Sequence, residues 1–469
     1  MALSKIWSVF IIISILAATF QAIFVKGHSD IFSRMVVGES GDTTNTRTAD
    51  TTKLSPAIMS MLAQGKDYVD GTTVYARTAD GAYIKYYKQR ADGVVGTAKV
   101  AVDISINLIG IMALFMGFMS IAEKAGGIRL LSKIIGPFFS KLFPELPKNH
   151  PAMGHMVMNF SANLLGLDNA ATPFGLKAME SLQEINPNKD TASNSQVMFL
   201  CLHASGLTLI PVSIIAIRAS LHASNPTDIF IPCMIATFMA TIAAMMVVSF
   251  KQKINVFQPV ILMWVLGISA VIAGLVIYLK SLSFTGVQTF SGILSNGLIL
   301  FIFFIITLGG FYKKIDVFGA FIDGAKGGFE IAVKIIPYLV GMLVAISLLR
   351  TSGTFEFIVD GMRSFFAWIG TDTRFVDGLP TALIKPLSGS AARGMMVDTM
   401  TTFGSDSFAG SLSSVLQGSS DTTVYVVAVY YGAVSVKNTR YTIGAMLLAD
   451  LVGIITAILL AYLFFGNAV

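Results

Sequence analysis

The sequence predicts an all-α polytopic membrane protein built from inverted-topology repeats, with about nine transmembrane helices, two re-entrant hairpins and two broken helices. Three observations carry this prediction. Hydrophobic residues fill 54% of the 469 positions and charged residues 13%, where a soluble chain would be roughly a quarter charged. Apolar runs of about 20 residues recur from end to end, each long enough to cross a hydrocarbon core. Between the clear spans lie apolar stretches broken by polar residues, glycine and proline, and the breaks recur in the two halves of the chain.

The first span, 6–25 (IWSVFIIISILAATFQAIFV), has only Lys5 before it and no A-x-A site after it. It is therefore read as a membrane helix, residues 1–25, rather than a signal peptide. Residues 26–98 are polar and rich in Thr, Asp and Gly. They read as an extramembrane insertion with strand character around TTVYARTADGAYIKYYKQR. Residues 99–250 form the first repeat. It holds a span at 100–122, a basic amphipathic stretch at 123–150, interrupted segments at 151–185 and 196–219, and a span at 229–250. Spans at 259–279 and 290–311 make up the link, 251–311. Residues 312–469 form the second repeat, with a short span at 335–349, interrupted segments at 379–403 and 408–434, and a span at 441–465.

Lys251, Lys253, Lys313, Lys314, the 123–150 stretch and Lys437 with Arg440 all fit the cytoplasmic side. They agree only if 151–185 and 379–403 each enter and leave by one face, as re-entrant hairpins. The N-terminus then lies inside, and the C-terminus and the 26–98 segment outside. The two halves match at an offset of about 210–230 residues. LLGLDNAATPFGLKAM pairs with PLSGSAARGMMVDTM, and FLCLHASGLTLIPVSIIAIRA with SVLQGSSDTTVYVVAVYYGAV. One copy begins outside and the other inside, so the repeats are inverted. Inverted repeats with breaks at matching positions point to a secondary transporter with its site at the breaks. Non-helical backbone survives at membrane depth only where protein, ions or cavity water satisfy it.

The candidate residues follow from the breaks. Asp168 and Asn169 lie at the first break with Thr172, and can cap the helix near Pro173 or ligate substrate; both readings stay open. His203 and Ser205, in LHASGLT, offer a proton shuttle or a packed polar pair. Lys385 and Arg393, with Ser388 and Ser390, make the second break basic, and Arg393 suits a carboxylate or phosphate if it does not sit at the interface. Asp421, flanked by Gln417, Ser420, Thr422 and Thr423, is an intramembrane carboxylate, functional by default. With Thr423 and Asn169 it forms the expected coupling site for Na⁺ or H⁺; its structural alternative is an ion pair with Arg393 or Lys385. Asp450, Glu180, Lys177 and Arg218 lie nearer span ends and read as solvated.

Other classes find little support. The excess of Lys and Arg, 33 against 27 acids, is attributed to topogenic loops, and no basic run with aromatics points to nucleic acid. Cys201 and Cys233 fall in apolar segments and give no disulfide framework or metal spacing. No G-x-S-x-G or H-E-x-x-H string places a nucleophile or metal, so an enzyme is not expected.

The strings GLDNAATPFGLKAME and NPNKDTAS resemble the spore maturation protein A family. IKPLSGSAARG and QGSSDTTVYVVAVYYGAVSVKNTRY resemble the spore maturation protein B family. The chain looks like a fusion of the two, over about residues 100–250 and 310–465. Both families carry the Gate, or nucleoside-recognition, domain, similar to part of the concentrative nucleoside transporters. The resemblance implies hairpins at 151–185 and 379–403, broken helices at 196–219 and 408–434, and an elevator-type transport domain. The Gln-Thr-Glu-type hairpin string of the nucleoside transporters is replaced here by Gly-Leu-Asp-Asn.

The expected function is secondary active transport of a small polar metabolite across a bacterial inner membrane. An amino acid or peptide-like zwitterion is favoured slightly over a nucleoside, because acids and Arg393 offer both signs of charge. No cofactor is expected beyond coupling Na⁺ or H⁺. The expected partners are the substrate, the bilayer and further copies of the chain. The rival expectation is a non-transporting membrane assembly factor for cell-envelope or spore maturation.

Overall fold

A computed structural model of the chain describes residues 2–25, 30–49, 54, 56–63, 68–70, 73–77, 81–91, 93–147, 150–164, 168–208 and 210–466. Helix α1 (Ala2–Phe24) is apolar on all sides and exposes most of its surface, as a lipid-facing span does. Its polar handles dock it: Trp7 Nε1 donates to Gly341 O (2.9 Å) and Gln21 Nε2 to Ser352 O (2.7 Å). The insertion contains α2 (Ile31–Val37), α3 (Pro56–Ala63) and strands β1 (Glu39–Thr48), β2 (Tyr68–Asp70), β3 (Thr73–Arg77) and β4 (Tyr83–Ala91). They form an antiparallel sheet in the order β1-β4-β3-β2. The β3–β4 hairpin falls on the stretch expected to be extended. The threonine-rich β1 carries no apolar alternation, so only its β-branched composition hinted at a strand.

The first repeat runs α4 (Gly93–Lys124), α5 (Gly127–Leu142), α6 (Pro151–Leu164), α7 (Asp168–Glu184), α8 (Asn194–Ser205), α9 (Val212–Ser220) and α10 (Phe230–Gln252). The link is α11 (Pro259–Ser281) and α12 (Phe284–Tyr312). The second repeat runs α13 (Val317–Thr351), α14 (Thr354–Trp368), α15 (Leu379–Ile384), α16 (Gly389–Phe403), α17 (Phe408–Gly418), α18 (Thr423–Ala433) and α19 (Thr442–Phe465). Element answers element: a long helix, an amphipathic helix entered through a left-handed glycine (Gly126, Gly353), a hairpin, a broken helix and a long helix.

Among the described residues, seven helices are long and apolar enough to cross a membrane: α1, α4, α10, α11, α12, α13 and α19. The nine expected crossings also count the two broken helices, whose halves of 12, 9, 11 and 11 residues are each too short to span alone. One boundary is corrected: the short span expected at 335–349 is the end of the 35-residue α13. Asp323, Lys326, Glu330 and Lys334 lower the hydropathy of its first half and hid the helix there. That half packs along α4 through glycines: a Cβ on Gly324 would overlap Met116 O, and one on Gly328 would sit 2.7 Å from Ala113 Cα.

Two clasps tie the repeats together. After α18, the N–H groups of Lys437 and Asn438 donate to Asp190 O (both 2.9 Å), and Ala192 N–H donates to Asn438 O (2.9 Å). Arg440 Nη1 adds bonds to Ala192 O (3.1 Å) and Asn194 Oδ1 (2.9 Å), at the start of α8. At the second clasp, after α9, Ser405 Oγ donates to Leu221 O (2.9 Å) and Ser224 N–H to Asp406 Oδ2 (2.9 Å), just before α17. Here the sequence reading of Arg218 is corrected. It is wholly buried, donating to Ser405 O (2.9 Å) and pairing with Asp228 (3.0 Å) and Asp406 (3.6 Å). Of the acids that neutralise it, Asp228 lies ten residues on, beyond the helix end, and Asp406 in the other repeat, so its local sequence looked like an ordinary span end.

Thus α8–α9 runs from the first clasp to the second, and α17–α18 from the second back to the first. Antiparallel broken helices of matching make-up are what inverted repeats produce.

Candidate functional site

Breaking a helix leaves backbone groups without intrahelical partners, and the two breaks here satisfy one another. Helix α8 ends in Gly206, left-handed at φ 59° and ψ 46°. Asp421 N–H, in the second break, donates to Ala204 O (2.7 Å), while Val424 N–H donates to Pro386 O (2.9 Å) at the tip of the α15–α16 hairpin. Asp421 Oδ1 accepts from Thr422 N–H (2.7 Å), a carboxylate at the start of α18 where the helix dipole favours it. The tip lies so close that a Cβ on Gly389 would be 2.5 Å from Thr422 Oγ1.

Around this crossing is a cavity of about 180 Å³ lined from both repeats. Of the residues singled out in the sequence, His203, Arg393, Gln417, Ser420 and Asp421 line it, together with Lys385. Gln417 is buried; its Nε2 reaches Gly389 O (3.4 Å), and among the described residues its Oε1 has no hydrogen-bond partner. The cavity so offers a carboxylate, two cationic side chains and an unspent amide oxygen within one small volume, where low dielectric strengthens each interaction.

His203 is held from the first hairpin. Its Nδ1 lies 3.0 Å from Asn159 Oδ1 and 3.0 Å from Asn163 Nδ2, and Tyr430 packs edge-on with centroids 4.8 Å apart. A proton on Nδ1 serves Asn159, and a lone pair there accepts from Asn163. The ring therefore keeps its place in either tautomer. Asn159 Nδ2 also donates to Ala171 O (2.7 Å), tying the hairpin arms α6 and α7. Sequence reasoning missed both asparagines. Their signal was present: two amides one helical turn apart in the apolar run MVMNFSANLL.

Ser205, Ser388, Thr422, Ser390, Thr172 and Thr423 do not line the cavity. Ser205 Oγ donates to Thr241 Oγ1 (3.0 Å), and Ser388 Oγ caps α16 by accepting from Ala391 N–H (3.2 Å). Thr422 lies beneath the hairpin tip, and Ser390 is half-buried on α16. Thr172 is exposed and bonds the Tyr430 hydroxyl. Thr423 Oγ1 donates to Asp450 (2.7 Å), which is buried, correcting its reading as solvated. Asp450 faces the second break because α19 packs against α17, a contact that its own helix could not reveal. Asp168 and Asn169 open α7, and their side chains lie outside the described residues. Cys201 and Cys233 are buried free thiols.

The Gate nucleoside-recognition family model matches residues 105–221 and 332–437, which contain both hairpins and both broken helices. The chain is 48% identical to spore maturation protein B of Bacillus subtilis (strain 168) over 163 residues, 35% of this chain and 90% of the relative. It is 43% identical to spore maturation protein A of the same strain over 150 residues, 32% of this chain and 76% of the relative. No solved structure matches. With most of both relatives' lengths matched at these identities, this membrane protein belongs to the spore maturation protein A and B family of Gate-domain proteins.

Proposed function

We propose that the chain is a secondary active transporter of a small polar solute, coupled to Na⁺ or H⁺ and moving as an elevator. The observation that carries this reading is the crossing of two antiparallel broken helices beneath a hairpin tip, with acidic and basic side chains around one cavity. Arg393 and Lys385 would take the anionic group of a zwitterion, and Asp421 its cation or the coupling ion. A nucleoside is the second substrate class, in keeping with the Gate family's description. The bacterial inner membrane is the proposed location, with homo-oligomers the proposed assembly. The name of the two relatives favours a second reading, a membrane assembly factor for spore or envelope maturation without solute flux.

A thermal-shift panel of nucleosides, amino acids, dipeptides and carboxylates, with and without Na⁺ and at two pH values, separates these readings. A ligand held at about 100 times its Kd should stabilise the fold by about 2.7 kcal/mol. Transport predicts a hit, an ion or pH dependence lost in Asp421→Asn, and flux in proteoliposomes. If Asp421→Asn keeps both binding and ion dependence, the coupling assignment is wrong. A panel without hits and without an ion effect favours the assembly factor.

A further inference from the structure

The polar cavity borders a second one. Asn163, His203 and Gly206 belong to its wall and also to that of a cavity of about 400 Å³ whose other sides are almost wholly apolar. Phe139 of α5, Phe160 of α6, Phe238 of α10 and Trp264 of α11 line it. Val271 of α11 lines it too and is 73% exposed, so the cavity reaches the outer surface of a span that faces hydrocarbon. A small polar solute would occupy only the first cavity. It would leave the larger cavity, apolar and open toward hydrocarbon, without a part in recognition, whereas an alkyl chain matches that lining.

We propose that the substrate is an amphiphile, with a zwitterionic head in the polar cavity and a hydrocarbon chain in the apolar one. This deepens the transport reading and rests on it. Head recognition falls to Asp421 for a cationic group and to Arg393 and Lys385 for an anionic one, with Gln417 Oε1 as a further acceptor. The chain passes between His203 and Gly206 into the slot against α11, and enters sideways from the bilayer at Val271. Adjacency supports one ligand across both compartments, because Asn163, His203 and Gly206 belong to both walls.

The test uses the full chain, exchanged from detergent into an amphipathic polymer, and three probes. Myristoyl-lysophosphatidylethanolamine carries head and tail, glycerophosphoethanolamine the head alone, and monomyristoylglycerol the tail with no charge. Each buried methylene multiplies affinity by about fourfold, so the complete amphiphile should bind at least about tenfold tighter than either part. Val265 and Ile268 of α11 also line the apolar cavity. Val265→Trp, which fills it, should cost the amphiphile about tenfold and leave glycerophosphoethanolamine unchanged; Ile268→Phe serves if that variant does not fold.

Equal binding of glycerophosphoethanolamine and the complete amphiphile overturns the proposal and leaves polar-solute transport standing. Equal binding of monomyristoylglycerol also overturns it, since the cavity then holds a structural lipid. So does failure of the amphiphile to bind. Tight, Val265-dependent binding without movement of the probe across proteoliposomes supports the site and sinks the transport reading instead.

Discussion

Asn159 shows how much one amide positions. It holds the two arms of the first hairpin and one side of His203, both at hydrogen-bond distance (2.7 and 3.0 Å). Asn159→Ala should cost about 1–3 kcal/mol, read as a lowered Tm, because Ala171 O loses its buried partner. An unchanged Tm would mean that another group satisfies that carbonyl. Gly389 is constrained by space. Gly389→Ala forces a Cβ against Thr422 Oγ1 at 2.5 Å and should destabilise by about 1–3 kcal/mol. Thr422→Ala in the same chain should recover part of that loss. Recovery would locate the strain between hairpin tip and break; its absence would place it elsewhere.

Between elements, buried ion pairs decide which helices stay together. Arg350 of α13 meets Asp398 of α16 through Nε at 2.9 Å and also contacts Glu356, with both partners of the main pair largely buried. Arg350→Met leaves Asp398 buried without its cation and should cost about 3–5 kcal/mol. The double variant Arg350→Met/Asp398→Leu should regain most of it, a non-additivity that a double-mutant cycle measures. In the connection between α9 and α10, burial pushes the Asp228 carboxyl up from 3.8 to about 6, against the pull of Arg218. A raised folded value means that the folded chain holds the proton more tightly. The stability this confers is full below about 4 and is lost as pH rises through about 6. The Tm of Asp228→Asn should therefore gain on the wild type across that window; a constant difference from pH 4 to 7 would contradict the assignment.

Across the whole molecule, the clasps mark the two ends of one antiparallel pair of broken helices, which span on the order of 30–40 Å. Arg440→Ala disturbs one clasp and Asp406→Ala the other, each costing about 0.5–1.5 kcal/mol. Sites this far apart should add within about 0.5 kcal/mol, and a larger coupling would mean that the broken helices transmit strain between them. Most of this architecture was legible in the sequence. Apolar length gives the spans, glycine and proline give the breaks, and the matching halves give the inverted repeat, because each is a local or periodic property. LHASGLT and QGSSDTTVY revealed their helix breaks for the same reason. What the chain alone left open was pairing across distance. Arg218 and Asp450 looked solvated until segments about 190 and 30 residues away closed over them, and Ser205 and Thr423 left the cavity wall for such partners. The bonds of the α6 amides to His203 and the apolar cavity beneath α11 likewise exist only once the helices pack. Local sequence fixes where a helix can form or must break; burial and partner choice belong to the assembled bundle, where the cost of an unpaired polar group is set.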